Sequence, residues 1–191
     1  MRRLIFTDGS VKLIEAGRKR QTRRIVKGLP PAAPLPAPDQ CPIGAPGDTA
    51  VVRQAWRISP LSWQTFTDGY LQVDYRSGGS RRVHLGFEVA RNLVDLASEC
   101  WRSPMFMFNW AACRFVRLTS VSAQRVSRIT EQDAIAEGYR SRSAFAERWD
   151  EINDRRGFPF DANPAVWAIG FVPLDVQETE RLGRLLEQAR A

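Results

Sequence analysis

Between Glu15 and Asp39 the chain carries no carboxylate, while Arg18, Lys19, Arg20, Arg23, Arg24 and Lys27 fall within ten residues. A field of this density repels itself, so such a segment stays near solvent or faces an anion that neutralises it. Of the 28 basic residues 25 are arginine, because Lys12, Lys19 and Lys27 are the lysines. Codon usage alone would favour arginine, and the clustering is therefore the stronger signal. Arginine presents a planar fork of donors that matches phosphate and base edges. With a formal net charge of +7, the cluster points to a polyanionic partner such as nucleic acid.

A chain of 191 residues, 43% of them hydrophobic, is long enough for one domain with a true core and short for two. We expect a single domain over 1–174, with residues 28–46 as an exposed loop and 175–191 as a C-terminal helical extension. That loop holds seven prolines, which cannot donate to a sheet and favour an extended path. No stretch approaches the roughly 20 apolar residues of a membrane span, and residues 1–8 turn polar too early for a signal peptide. A cytoplasmic protein with no membrane partner is expected. Cys41, Cys100 and Cys113 include no C-x-x-C pair and His84 stands alone, so neither a metal site, a disulfide framework nor a cofactor is expected. No pattern sets an oligomeric state.

Local signals give an outline of the fold. Residues 10–16 read as a short helix, with Asp8 or Ser10 at its start and Gly17 just past its end. Alternation predicts a strand over 49–56. Asp68-Gly69 and Gly78-Gly79 read as hairpin turns among strands at 63–66, 70–75 and 81–85. A helix over 87–100 and a long strand region over 106–124 come next. Thr130 reads as the N-cap of a helix that stops at Gly138, and Phe145, Trp149 and Ile152 form the buried stripe of another. Strand 166–172 and a C-terminal helix over 175–190 complete an α+β arrangement, a mixed sheet curled into a small barrel.

Three residues break local expectations. Lys19 lies among cations that lower an ammonium pKa, which lets a lysine act as a base. Thr22, three residues on, could serve as its nucleophile. Glu137 sits in the last turn of its helix, where the dipole disfavours a negative charge. Each has a plainer reading, as a surface pair or a tolerated exposed carboxylate. Trp56, Trp101, Phe106, Phe108 and Trp110 near strand ends could stack on bases, with Arg53 and Asn109 reading base edges, although large aromatics more often fill cores.

The segments Ala16 to Arg24, Pro46 to Arg53 and Ile129 to Gly138 together resemble the ordered motifs of ASCH-domain proteins, especially a longer branch common in phages and prophages. Residues 101–111 and 163–169 resemble that branch too. The resemblance, running from about residue 4 to 173, implies a PUA-like small β-barrel of about five to seven strands with short flanking helices. It also implies an RNA or modified-base binder. Small bacterial members that are similar in the Gly-Arg-Lys-x-x-Thr motif hydrolyse the acetyl amide of acetylcytidine, and their catalytic roles fall on Lys19, Thr22 and Glu137. The remaining candidates, Arg18, Arg20, Arg23, Arg24, Arg53, Trp56, Asn109 and Trp110, would bind nucleic acid. Other members are ribonucleases or non-catalytic binders, so the resemblance leaves open whether the chain is an enzyme; if it is one, a hydrolase is implied. The proline-rich loop and the long segment between strands depart from the small enzymes, as does Phe108, where a proline is usual. These departures favour a polymer over a free nucleoside.

Overall fold

The computed structural model describes residues 2–30 and 32–189. Met1, Pro31 of the proline-rich loop, and Arg190 and Ala191 of the expected extension lie outside the described residues. In chain order the elements are β1 (Arg2–Ile5), α1 (Asp8–Glu15), β2 (Gln21–Ile25), β3 (Thr49–Arg53), β4 (Trp56–Ile58), β5 (Tyr70–Tyr75), β6 (Ser80–His84) and α2 (Phe87–Val94). β7 (Phe115–Arg125), α3 (Glu131–Ala136), α4 (Arg142–Asn153), β8 (Ala165–Pro173) and α5 (Val176–Gln188) follow. The α+β class, the short helices and the C-terminal helix agree with expectation. The strands number eight among the described residues, and no closed barrel appears in their pairing. No described helix is long and apolar enough to cross a membrane.

The chain divides into two compact units, the first formed by Met1–Lys12, Ala50–Val116 and Leu174–Ala191, the second by Leu13–Thr49 and Arg117–Pro173. In the first, β1 runs parallel to β3, with Arg2 opposite Ala50 and Ile5 opposite Arg53. A separate antiparallel sheet has the order β4-β5-β6. Its β5–β6 hairpin turns at Gly78 and Gly79, both at positive φ, as the sequence indicates. Leu71, Val73 and Tyr75 of β5 face inward, alternating with half-exposed Tyr70, Gln72 and Asp74. They pack with Trp56, Val83, Met107, Trp110 and Phe115, and Leu182 and Leu186 of α5 lie against that core. Gly183 lets α5 approach Arg81, whose guanidinium pairs with Glu187; a Cβ at Gly183 would collide with it.

In the second unit β8 pairs antiparallel with β2, Thr22 opposite Ile169 and Arg24 opposite Trp167. β7 flanks β8 on its other side, leaving β2 as the terminal strand. Gly170 permits the close passage of β7, because a Cβ there would strike Ser120 and Thr119. Val126, Ile129, Ala134, Phe145, Trp149 and Val166 form this unit's core.

Several boundaries differ from the sequence reading. Residues 60–68 form 3-10 turns, capped at Ser59 and broken by the left-handed Gly69, where a strand was expected. Two more 3-10 turns occupy 104–106 and 109–111, so the long strand region begins at Phe115. Helix α2 stops at Val94. On α4, Phe145 and Trp149 are buried but Ile152 is exposed and Asn153 takes the inward position, its amide donating to the Trp149 carbonyl at 3.1 Å.

Candidate functional site

The basic segment reaches its place through two chain reversals. Gly17, at φ 67°, stops α1, and the N–H groups of Arg18 and Lys19 donate to the Leu13 carbonyl at 2.9 and 3.0 Å. Arg20 N–H then donates to Ala136 O at 2.7 Å, which ties the entry of β2 to the C-terminus of α3. Helix α3 begins with a full capping box, Thr130 Oγ1 accepting from Asp133 N–H and Asp133 Oδ2 accepting from Thr130 N–H, both at 3.1 Å. Glu137 is its C-cap. Gly138 follows at φ 90°, and a Cβ there would lie 2.7 Å from Leu13 Cδ1. Only glycine meets both demands without displacement.

This arrangement buries opposite charges together. Lys19 and Glu137 are 4% and 5% exposed. Lys19 Nζ donates to the Glu137 carbonyl at 2.6 Å and lies 3.7 Å from Glu137 Oε2, so one ammonium caps α3 and also faces the carboxylate. Arg23 Nη1 donates to Glu137 Oε1 at 2.8 Å and to Gln21 Oε1 at 2.9 Å. Its Nη2 lies 3.1 Å from Asp133 Oδ2 as an ion pair without hydrogen-bond geometry, and its buried Nε has no hydrogen-bond partner. The guanidinium also lies 5.9 Å from the centre of the Phe145 ring. Lys19 Nζ sits 6.0 Å from the Tyr139 ring centre.

Burial holds the Lys19 ammonium below its ordinary pKa; Glu137 works against that shift, while the charges of Arg24 and Arg23 add to it. Partial burial alone would raise the Asp133 carboxyl, but hydrogen bonds from Thr130, the charge of Arg23 and a bond with Gln21 bring it below the usual range. The Tyr139 phenol is raised by burial and by Glu137. The cluster therefore holds a lysine whose neutral form is within easier reach than at the surface, beside a carboxylate oriented by an arginine.

Thr22 is buried on β2, on the strand face it shares with Arg24 and opposite to Gln21 and Arg23. No hydrogen bond joins its hydroxyl to Lys19 or Glu137. Arg18 and Arg20 are exposed, and Arg20 Nε donates to Gly17 O at 2.9 Å. Arg23 departs from the expected role: its side chain is wholly buried between two carboxylates, so it positions Glu137 and offers no face to nucleic acid.

The candidates of the first unit have their own surroundings. Trp56 and Trp110, expected to stack on a base, are core residues with 1% and 0% exposure. They pack edge-on at 6.3 Å, and Phe108 stacks on Trp110 at 5.3 Å, so neither offers a face to a base. Arg53 is buried and donates to Met105 O at 2.8 Å and to Asn109 Oδ1 at 3.1 Å. The two expected base-edge readers thus bond each other and brace residues 105–109. Sequence reasoning missed Asp133 as a partner of Arg23; its spacing of four from Glu137 on α3 is the signal, since both project from one side of a short helix. Nothing local marks Tyr139. Among the described residues no group of three or more His, Cys, Asp or Glu side chains could hold a metal ion.

No protein-family model matches the chain, and no curated protein matches its sequence. Among solved structures it is similar to a protein from Enterococcus faecalis described under the family DUF984. That likeness has 12% identity and a TM-score of 0.45 over 92% of this chain and 82% of the other. It is similar also to an ASCH domain from Lactobacillus crispatus, with 14% identity and a TM-score of 0.45 over 87% of this chain and 70% of the other.

Proposed function

We propose that the segment from Gly17 to Arg24, with the end of α3, is a recognition site for RNA or a modified nucleobase of the ASCH kind, and that Lys19, Thr22 and Glu137 hydrolyse an acetylated cytidine amide there. The observation that carries this reading is the buried contact of Lys19 with Glu137 across 118 residues of sequence. Burying a charge pair generally costs stability relative to an apolar pair. Its retention next to exposed Arg18 and Arg20 fits a site where charge serves binding and chemistry.

In this reading Lys19, in its neutral form, takes the Thr22 hydroxyl proton as Thr22 Oγ1 attacks the acetyl carbonyl carbon. The C–N bond breaks, the cytidine amine leaves with the proton returned by Lys19, and an acetyl ester remains on Thr22. Water then cleaves that ester, again with Lys19 as base, releasing acetate. Glu137, held by Arg23, balances Lys19 when it is protonated. This step requires the Thr22 hydroxyl, which lies on the strand face opposite Arg23, to come within reach of Lys19 when the ligand binds.

The test is to incubate the protein with acetylcytidine and quantify cytidine and acetate chromatographically. Wild type is expected to turn over, and Lys19→Ala, Thr22→Ala and Glu137→Ala each to lose about 10²–10⁴-fold, the usual contribution of such groups. Equal turnover in wild type and all three variants would remove the hydrolytic assignment.

A further inference from the structure

Strand β2 ends its sheet with one edge open. Its pairing with β8 keeps a single register from Gln21 opposite Gly170 to Ile25 opposite Val166. Phe171 N–H donates to Arg20 O at 2.8 Å and Val26 N–H to Ala165 O at 2.9 Å, which places the hydrogen-bonded positions of this antiparallel ladder at Arg20, Thr22, Arg24 and Val26. The N–H and C=O groups of the alternate residues, Gln21, Arg23 and Ile25, therefore point away from β8. Among the described residues no strand lies on that side, and no backbone hydrogen bond reaches those groups. Arg23 shows that the edge is open to solvent: its side chain is 0% exposed, so the 5% exposure of the whole residue belongs to its backbone.

The segment that follows leaves this edge bare. The proline-rich loop turns toward the end of β7, where Ala33 O accepts from Arg125 Nη2 at 3.1 Å, and β7 lies beyond β8, on the side away from the open edge. Exposed edges are commonly blunted by proline, a bulge or charge. β2 contains no proline and its register has no bulge; what it has is charge. Arg18 and Arg20 before the strand and Lys27 after it are exposed. The carboxylates of α3 are already engaged, Glu137 and Asp133 with Arg23, Glu137 also with Lys19, and Glu131 with the Arg142 N–H. Two copies of the chain paired edge to edge would set these cations against one another, which is unfavourable. An extended segment that carries carboxylates meets both needs, since its backbone partners the open edge and its side chains neutralise the flanking cations.

We propose that the open edge of β2 is a docking site for an extended acidic segment of a partner protein, which joins the sheet as a strand beside β2. Its backbone exchanges hydrogen bonds with Gln21, Arg23 and Ile25, and its acidic side chains reach Arg18, Arg20 and Lys27. This goes beyond the recognition of RNA proposed above by naming a protein partner. Arg18 and Arg20 belong to both surfaces, so the acidic strand and RNA compete.

The test adds a short synthetic peptide of alternating glutamate and valine to the full chain and follows amide hydrogen exchange by NMR. In the free protein the amides of Gln21, Arg23 and Ile25 are expected to exchange fast beside the protected amides of Thr22 and Arg24. At a peptide concentration about ten times its Kd, the fast amides should slow by about tenfold. The same peptide fully N-methylated keeps its charge but lacks backbone donors, and it should not slow them; nor should a version with lysine in place of glutamate. Ile25→Pro removes one outward N–H without touching the β8 ladder and should weaken peptide binding. Ile25→Ala loses the side-chain packing but keeps the N–H and should bind as wild type does, with melting temperatures showing that both fold. Should Ile25→Pro fail to fold, the N-methylated peptide makes the same test from the other strand. Amides of Gln21, Arg23 and Ile25 that are already protected in the free protein, or a peptide that binds without slowing them, overturn strand addition. Equal binding of the lysine version overturns the acidic partner. Slowing of the same amides by single-stranded RNA and not by the peptide gives the edge to RNA and overturns the proposal while leaving the recognition site standing.

Discussion

Arg23 Nη1 and Glu137 Oε1 lie 2.8 Å apart, joined across 114 residues with both side chains buried. The bond turns one oxygen of Glu137 toward the arginine and leaves the other 3.7 Å from Lys19. A motif that reads locally as a run of exposed charge is thereby split, with Lys19 and Arg23 facing carboxylates of α3 and Arg18 and Arg20 facing solvent.

Removing Arg23 leaves Glu137 buried without its main partner. Arg23→Leu is expected to destabilise the chain by about 3–5 kcal/mol, as breaking one side of a buried ion pair does. Asp133→Asn should cost less, since that carboxylate is 29% exposed and can turn to water. Urea denaturation of both variants checks the order; a smaller loss for Arg23→Leu than for Asp133→Asn contradicts it.

Gly138→Ala should lower stability by roughly 1–2 kcal/mol from its left-handed backbone alone, and further because the added Cβ would press on Leu13 Cδ1 at 2.7 Å. The measurement is the urea midpoint, and hydrolysis should fall with it, since Gly138 sets the exit of the chain from Glu137. A neutral substitution would mean that the reversal at Gly138 is not needed for the site.

Lys19 gives a signed pH dependence. Its folded pKa lies below the unfolded one, so between the two values the unfolded chain binds more protons and stability rises as pH increases through that window. Below the folded value the burial penalty is fully present. Urea midpoints measured from neutral pH to about 10.5, the ordinary lysine value, should therefore show a rising component in wild type that Lys19→Met lacks. Glu137→Gln removes the charge that opposes the shift and should widen the window. A component that falls with pH in wild type and vanishes in Lys19→Met would contradict the assignment.

Trp110 is a core residue and not a base platform. Trp110→Ala should cost about 3–5 kcal/mol, the usual range for a buried tryptophan, whereas Arg18→Ala and Arg20→Ala should stay within about 0.5 kcal/mol as surface changes do. Thermal unfolding separates them.

Elements with local causes were legible from the residues alone. Thr130 with Asp133 announces the start of α3, Gly17 and Gly138 announce stops, and Gly78-Gly79 announces the β5–β6 turn. β1 and β2 were not legible, because Arg2, Arg3, Arg23 and Arg24 put charge where a strand reading looks for alternating apolar residues. Their pairing with β3 and β8 supplies the backbone partners that override composition. The burial of Arg23 was hidden for a related reason: a sequence displays its charge but not the carboxylates that meet it from 110 and 114 residues away. Trp56 and Trp110 looked equally fit for core or stacking, and packing against each other and Phe108 decided for the core.

Recognition of RNA by the basic segment is the claim on which the rest depends. The most direct measurement is fluorescence anisotropy of a labelled single-stranded RNA with wild type and with Arg18→Ala/Arg20→Ala, from about 50 to 200 mM salt, a range over which several arginine–phosphate pairs change affinity by orders of magnitude. The account predicts affinity that falls steeply with salt, and a slope of log K against log salt that shrinks by roughly 1.4 in the double variant, about 0.7 for each phosphate of a single strand that is no longer neutralised. A salt-independent affinity, or a slope unchanged by the two substitutions, would contradict it.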